Sequence, residues 1–283
     1  MDNNLLSGLE SLGLGNLEGL SIYEDPNKDK KKQAETVELK EEDMVFDKSY
    51  TCIVCDQDFK AKMVRSGKAK AMVADQDLRP RYERIDVLKY DIISCPYCGY
   101  SSLSKNFPYL TAAQKKAIKE NISSSFKPRK QDPDKKIYTY EEAMERHKLA
   151  LVNTIVKHGK ASEKAYICLK TGWLLRGQTE ALDVNDPDYD KKKQENENAE
   201  NQFLKNAYDG FVTARSSESF PICGMDELTV DYLLATLAVR FEEYDTAARL
   251  LSSIVTSRAA NARIKDRAHD LKDILMQKLK EKK

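Results

Sequence analysis

The hydrophobic pattern changes character three times along the chain. Residues 1 to about 42 open with Leu5, Leu6, Leu9, Leu12, Leu14, Leu17, Leu20 and Ile22 set among four glycines. Each glycine costs roughly 1 kcal/mol in a helix, so this stretch should not hold one alone. The run DPNKDKKKQAETVELKEED then reads as a charged linker. The segment suits a flexible Leu/Gly-rich tail. Its eight apolar side chains within eighteen residues also suit a short motif that folds into a partner's groove.

From 43 to 110 the alternation shortens towards period two. Residues 43–51 predict a strand, 59–65 a second with partial alternation, and Ser66-Gly67-Lys68 a turn. Residues 85–94, with Val87, Leu88, Tyr90, Ile92 and Ile93, predict a third strand. The insertion over 68–84 has no assignable form.

Beyond Phe107 the period becomes helical. Thr111 caps a helix through Ile122, and the Pro-, Ser- and charge-rich stretch after it reads as a linker. Helices are then predicted near 139–158, 162–178, 190–214, 226–241, 244–257 and 261–281. Gly159, Gly177, Gly210 and Pro221 mark breaks or bends, and a loop falls near 183–190.

Composition narrows the class. The 283 residues are 33% charged and 41% hydrophobic, with a formal net charge of +1. That balance does not suggest a general polyanion binder. The N-terminus lacks the basic start and unbroken apolar core of an export signal, and no run approaches the ~18 apolar residues of a membrane span. A reducing cytoplasm is the expected location, where cysteine pairs favour metal over disulfide.

Four of the six cysteines carry the chemistry: Cys52 and Cys55 in CIVC, and Cys95 and Cys98 in CPYCGY. Two CxxC pairs across a medium insert suit one tetrahedral Zn²⁺ bound through four thiolates. Gly99 supplies the left-handed residue a knuckle favours after its second cysteine. Such a site is coordinatively full, hence structural, and would take the net charge from +1 to about −1. Another metal is the lesser reading. The string CPYC also matches the active-site motif of glutaredoxins, where a low-pKa thiolate exchanges disulfides. That thiol–disulfide reading needs a βαβ context, which does not follow Cys98, and it leaves Cys52 and Cys55 without a role.

Several further residues invite a functional reading beside a plainer one. Arg79, Arg81 and Arg84 belong to a locally basic stretch that could contact nucleic acid, or simply form a solvated face offsetting the metal centre. Tyr166, Trp173 and Arg176 share one predicted helix and could line a peptide groove, although a core aromatic is the default for Trp173. His147, His158 and His269 lack metal spacing; His158 sits where a helix C-terminal dipole would favour it. Cys168 and Cys223 read as small apolar residues. No glycine-rich phosphate loop, Ser/His/Asp set or isolated carboxylate pair is evident, so no enzyme is expected.

The stretch from Phe241 to Ile254 resembles the turn and second helix of a tetratricopeptide repeat, with Tyr244, Ala247, Leu251 and Ile254 at motif positions. Leu234, Ala235 and Ala238 match the preceding helix, and Tyr140, Ala143, His147 and Ala150 form a weaker copy. Asp231 replaces the usual aromatic and Ala235 the usual glycine, so a generic helical bundle stays open. With YTCIVCDQDF and YDIISCPYCGYSS, the chain resembles a bacterial family designated domain of unknown function 2225, over most of residues 45–260. The resemblance implies a bacterial cytoplasmic zinc-ribbon protein with a helical-repeat partner surface, and supplies no activity. The expected fold is therefore α+β, mainly α. A small four-cysteine zinc ribbon (43–110), a connecting helix and linker (111–135) and tetratricopeptide-like antiparallel helix pairs (136–283) would follow the tail. The expected function is a non-enzymatic protein–protein adaptor binding one structural Zn²⁺. The partner is unidentified, and nucleic-acid binding is the alternative.

Overall fold

The computed structural model describes residues 40–282, so the leucine-rich tail and most of the charged linker expected over 1–42 lie outside the described residues. Residues 40–42 already belong to the fold. A 3-10 turn at Glu41–Met44 places the Glu41 carboxylate against Lys89 and the Tyr90 hydroxyl, the latter at 2.7 Å.

Each cysteine pair sits at the tip of its own hairpin. Strand β1 (Val45–Thr51) pairs antiparallel with β2 (Asp58–Val64), from Val45↔Val64 to Thr51↔Asp58. Strand β3 (Ile92–Ser94) pairs antiparallel with β4 (Ser101–Leu103). The hairpins form two separate two-stranded sheets. The strand expected over 85–94 is thus only three residues long. Residues Val87–Tyr90 form a 3-10 turn instead, capped by the Asp86 carboxylate accepting from the Leu88 N–H. The apolar run misled because its side chains go to four places. Leu88 enters the helical core, Tyr90 stacks on Tyr138, Ile92 packs with Leu103, Ala150 and Ile167, and Ile93 faces the cysteines.

Seven α-helices follow among the described residues, and the fold is α+β, mainly α. They are α1 (Ala112–Ile118, extended by one π turn), α2 (Tyr140–Val156), α3 (Ala161–Glu180), α4 (Tyr189–Ser217), α5 (Glu227–Arg240), α6 (Tyr244–Thr256) and α7 (Ala262–Glu281). Thr111 caps α1 and Thr139 caps α2, each with a reciprocal bond from the third residue. Helix α3 packs against α2 and α4, α5 against α4 and α6, and α7 against α5 and α6. Their shared core includes Trp173, Leu204, Phe211, Tyr232, Leu234, Leu251 and Leu271.

Gly177 and Gly210, expected to mark breaks or bends, lie inside α3 and α4, which run on past them. Close approach, not chain reversal, requires them: a Cβ on Gly210 would stand 2.8 Å from the Ala165 Cβ. On Gly177 it would stand 2.4 Å from an Asp86 carboxylate oxygen. The end of α2 does fall where Gly159 suggested, but the left-handed residue is His158, at φ 53°.

The unassigned insertion is an irregular hairpin. Met72 donates its N–H to the Arg81 carbonyl and Glu83 to that of Lys70, and the tip turns through Asp75–Leu78. The tip reaches across to the helices. Arg176 of α3 bonds Asp75 and Asp77, the Trp173 indole N–H donates to Asp77 at 3.0 Å, and Arg267 of α7 donates to the Asp75 carbonyl.

One buried group in α2 makes stability depend on pH. His147 is fully buried; its Nδ1–H donates to the Ala143 carbonyl at 2.8 Å, and Nε2 has no partner among the described residues. Burial pulls its pKa down to about 4, with Asp91 opposing and Lys170 and Arg146 reinforcing the shift. The unfolded chain therefore binds this proton near pH 6.5, before the folded chain does. Stability should fall as pH drops from about 6.5 towards 4, by roughly 3 kcal/mol from this group. Denaturant titrations of wild type and His147→Met across that window should differ by this slope. Parallel curves would contradict it.

Candidate metal centre

The two knuckles share one backbone design. In the first, the Asp56 N–H donates to the Cys52 carbonyl at 2.8 Å and the Cys52 N–H to the Gln57 carbonyl at 3.0 Å. In the second, Gly99 donates to the Cys95 carbonyl at 3.1 Å and Cys95 to that of Tyr100 at 2.8 Å. The residue after each second cysteine is left-handed, Asp56 at φ 58° and Gly99 at φ 74°. Gly99 is the expected one. Asp56 was overlooked, although aspartate is among the few residues that tolerate this conformation. Gly99 is needed a second time, because a Cβ there would stand 2.5 Å from the Phe126 ring.

The knuckles bring their sulfurs together across the two hairpins. Cys52 Sγ lies 3.6 Å from Cys98 Sγ, and Cys55 Sγ lies 3.6 Å from Cys95 Sγ. All four sulfurs lie within 4.8 Å of one another. A tetrahedron with metal–sulfur bonds of about 2.3 Å has edges of about 3.8 Å, so the set fits a single ion. The separations are far beyond the ~2.05 Å of a disulfide. Hydrogen bonds from the Cys95 and Cys98 thiols pull the Cys52 pKa down to about 2. Donation to Cys52 pushes Cys95 up to about 12, and Cys98 is raised likewise. One thiolate is favoured and further ionisation is opposed, so four thiolates require a cation at their centre.

The surroundings hold the sulfurs in place. Tyr50, Phe59, Tyr100 and Phe107 form a ring cluster beside them, with Tyr100 and Phe107 stacked at 4.8 Å. Ile118 and Ile122 close it from the α1 side. From α2, the Asn153 amide donates to the Gly99 carbonyl at 3.0 Å, tying the second knuckle to the helical layer. The segment expected as a linker is a strap across both hairpins. Phe126 covers Gly99, the Arg129 N–H donates to the Pro96 carbonyl at 2.9 Å, and Gln131 bonds both backbone groups of Lys60. Neither the strap nor Asn153 carried a readable signal, since both act over long sequence separations.

The other candidate residues have partners elsewhere. Arg79 is buried, and Arg79 and Arg81 both bond the Glu180 carboxylate; Arg79 adds Asp86, and Arg81 adds Asp75 at 2.6 Å. Arg84 is exposed on left-handed backbone, at φ 63°. Trp173 is 4% exposed, and it and Arg176 are engaged by Asp77 of the insertion tip. Tyr166 lies beneath the ammonium groups of Lys105 and Lys170, away from that tip. Cys168 is buried in the helical core, and Cys223 donates to the Ser162 carbonyl. No helix among the described residues is long and apolar enough to cross a membrane.

No curated protein and no solved structure matches this chain. A family profile does, and it spans both cysteine hairpins, the strap and the helices well into α7. Over residues 45–275 the chain matches, and belongs to, the bacterial family described as "Uncharacterized protein conserved in bacteria (DUF2225)".

Proposed function

We propose that the chain is a zinc-binding, non-enzymatic adaptor of the bacterial cytoplasm. One structural Zn²⁺ on Cys52, Cys55, Cys95 and Cys98 would shape a surface that holds a partner protein. The closed sulfur set carries this reading. Four thiolates fill a tetrahedral ion and leave no position for water or substrate, which suits a scaffold rather than a catalyst. Zinc is the ion that such a set most commonly selects.

The adaptor role draws support from α2. Val152 and Ile155 stand exposed and three residues apart on this helix, which packs on β3 and β4 and bonds the second knuckle. A partner seated there would sense whether the metal is in place. The tetratricopeptide-like resemblance belongs to the same reading: Leu234, Ala235, Ala238, Ala247, Leu251 and Ile254 are all buried in the α5 and α6 layer. The test is capture of partners from native expression by the metal-loaded chain, at high salt after nuclease treatment. A protein retained by wild type and lost on Val152→Glu or Ile155→Glu is the expected result. Identical recovery by wild type and variants would remove the reading's support. A steeply salt-dependent shift of a nucleic-acid probe, abolished by Arg84→Glu, would favour the nucleic-acid alternative.

A further inference from the structure

We propose that a cavity beside the second knuckle binds a small organic anion, a carboxylate or phosphate monoester carried on a flat apolar body. The cavity, about 390 Å³, lies between β2, the Cys95–Pro96 turn, the strap and α2. That volume falls at the lower end of small-molecule sites. Pro96, Phe126, Tyr138 and Leu149 give it apolar walls.

The charges around it do not cancel. Three of its four acids are already paired: Asp47 with Lys62 at 2.8 Å, Glu145 with Arg129 at 2.6 Å, and Glu142 with Lys135. The fourth, Asp132, accepts a backbone N–H from Asp134. Among the cations, Lys60 and Lys130 have no ion-pair partner among the described residues. Arg146 is the centre of the argument. Its guanidinium lies 3.6 Å from the Tyr138 ring centroid, and among the described residues its hydrogen bond runs from Nη1 to the Glu142 carbonyl at 3.0 Å. Stacking holds the planar fork rigid, while most of its N–H groups stay available to a carboxylate or phosphate, which they match in geometry.

The site depends on the metal centre without being part of it. Cys95 and Pro96 form one wall, and Arg129 of the strap is bonded to Pro96. A bound anion would therefore join the knuckle, the strap and α2.

Calorimetric titration of the metal-loaded full chain tests the proposal. Benzoate and adenosine monophosphate serve as ring-bearing anions, benzamide and adenosine as their neutral counterparts, and inorganic phosphate as an anion without a body. Saturable binding of a ring-bearing anion is expected, at least about tenfold tighter than its neutral counterpart. Whether benzoate or the nucleotide binds more tightly separates a carboxylate source from a phosphate one. Arg146→Gln should weaken binding about tenfold or more, and Leu149→Trp should abolish it by filling the cavity. Unchanged circular dichroism and metal content would show that these variants still fold. If Arg146→Gln perturbs the fold, Lys60→Ser removes charge from an exposed side chain instead. No saturable binding by any anion, equal binding of the neutral compounds, or binding indifferent to both Leu149→Trp and the charge-removing variant would overturn the proposal.

Discussion

With zinc bound as proposed, stripping it from the purified chain is expected to release both cysteine hairpins while most of the helical signal persists. The hairpin sheets are two-stranded, and β3 and β4 have three residues each, too little to hold shape alone. Structural zinc contributes about 10–16 kcal/mol of apparent folding free energy in small metal-held units, as much as a whole domain's stability. The main helical core does not include the cysteines: α2 to α7 supply nearly all its side chains, with Leu88 entering from the hairpin region, while Ile92 and Leu103 of the second hairpin pack on α2 and α3. Chelation or Cys95→Ser should therefore erase hydrogen-exchange protection over 45–64 and 92–103. Circular dichroism should lose far less. Elemental analysis of protein purified without added metal should give one equivalent per chain. Less than half an equivalent, with all six thiols freely titratable, would falsify the site. Acid should release the metal, because protons compete for the thiolates.

Arg176→Met is expected to cost about 3–5 kcal/mol, a large share of a domain's stability. Arg176 joins three carboxylates from two distant segments: Asp75 at 3.1 Å, Asp77 at 2.6 Å and Glu200 at 2.8 Å. Glu200 keeps Arg240 at 3.0 Å when Arg176 is lost. Asp77 keeps the Trp173 indole N–H and the Arg79 backbone N–H but, among the described residues, no ion-paired cation, so a buried carboxylate is left without its counter-charge. The penalty comes from that stranded charge, more than from any net gain of the intact pair. Asp77→Asn should therefore recover part of the loss in the double variant. Denaturant midpoints give the energies, and limited proteolysis within 70–84 reports whether the insertion tip has come loose. A loss under about 1 kcal/mol with the tip still protected would contradict the argument.

The helices were legible because their signals are local. The expected 244–257 and 261–281 become Tyr244–Thr256 and Ala262–Glu281, and the Thr111 cap is in place. Apolar spacing and caps act within one or two turns, and a sequence displays them directly. The cysteine pairs were legible for a similar reason. Each CxxC knuckle is a local turn, and the chemistry of four thiolates narrows what they can do together.

The failures share a cause. Gly177 and Gly210 read as breaks or bends, because a glycine that weakens a helix resembles one that permits close packing; only the neighbours Asp86 and Ala165 distinguish them. The run over 85–94 looked like one strand because burial on four different surfaces leaves the same unbroken apolar string as burial in a sheet. The basic residues at 79 and 81 looked available, but their carboxylate partner Glu180 lies 101 and 99 residues away.

Pattern along the chain was enough to single out the four converging cysteines, the balance of helix over strand and the bounds of most helices. These follow from short-range periodicity, turn residues and ligand chemistry. Only the folded arrangement reveals that the insertion docks on α3 and α7, and that the supposed linker straps the second knuckle. It also assigns Trp173 and Arg176 to the insertion tip. Those outcomes rest on hydrogen bonds and ion pairs between residues such as Asp77 and Arg176, 99 positions apart. Pairing at that range leaves no mark on local pattern, because either partner alone reads as an ordinary solvated charge.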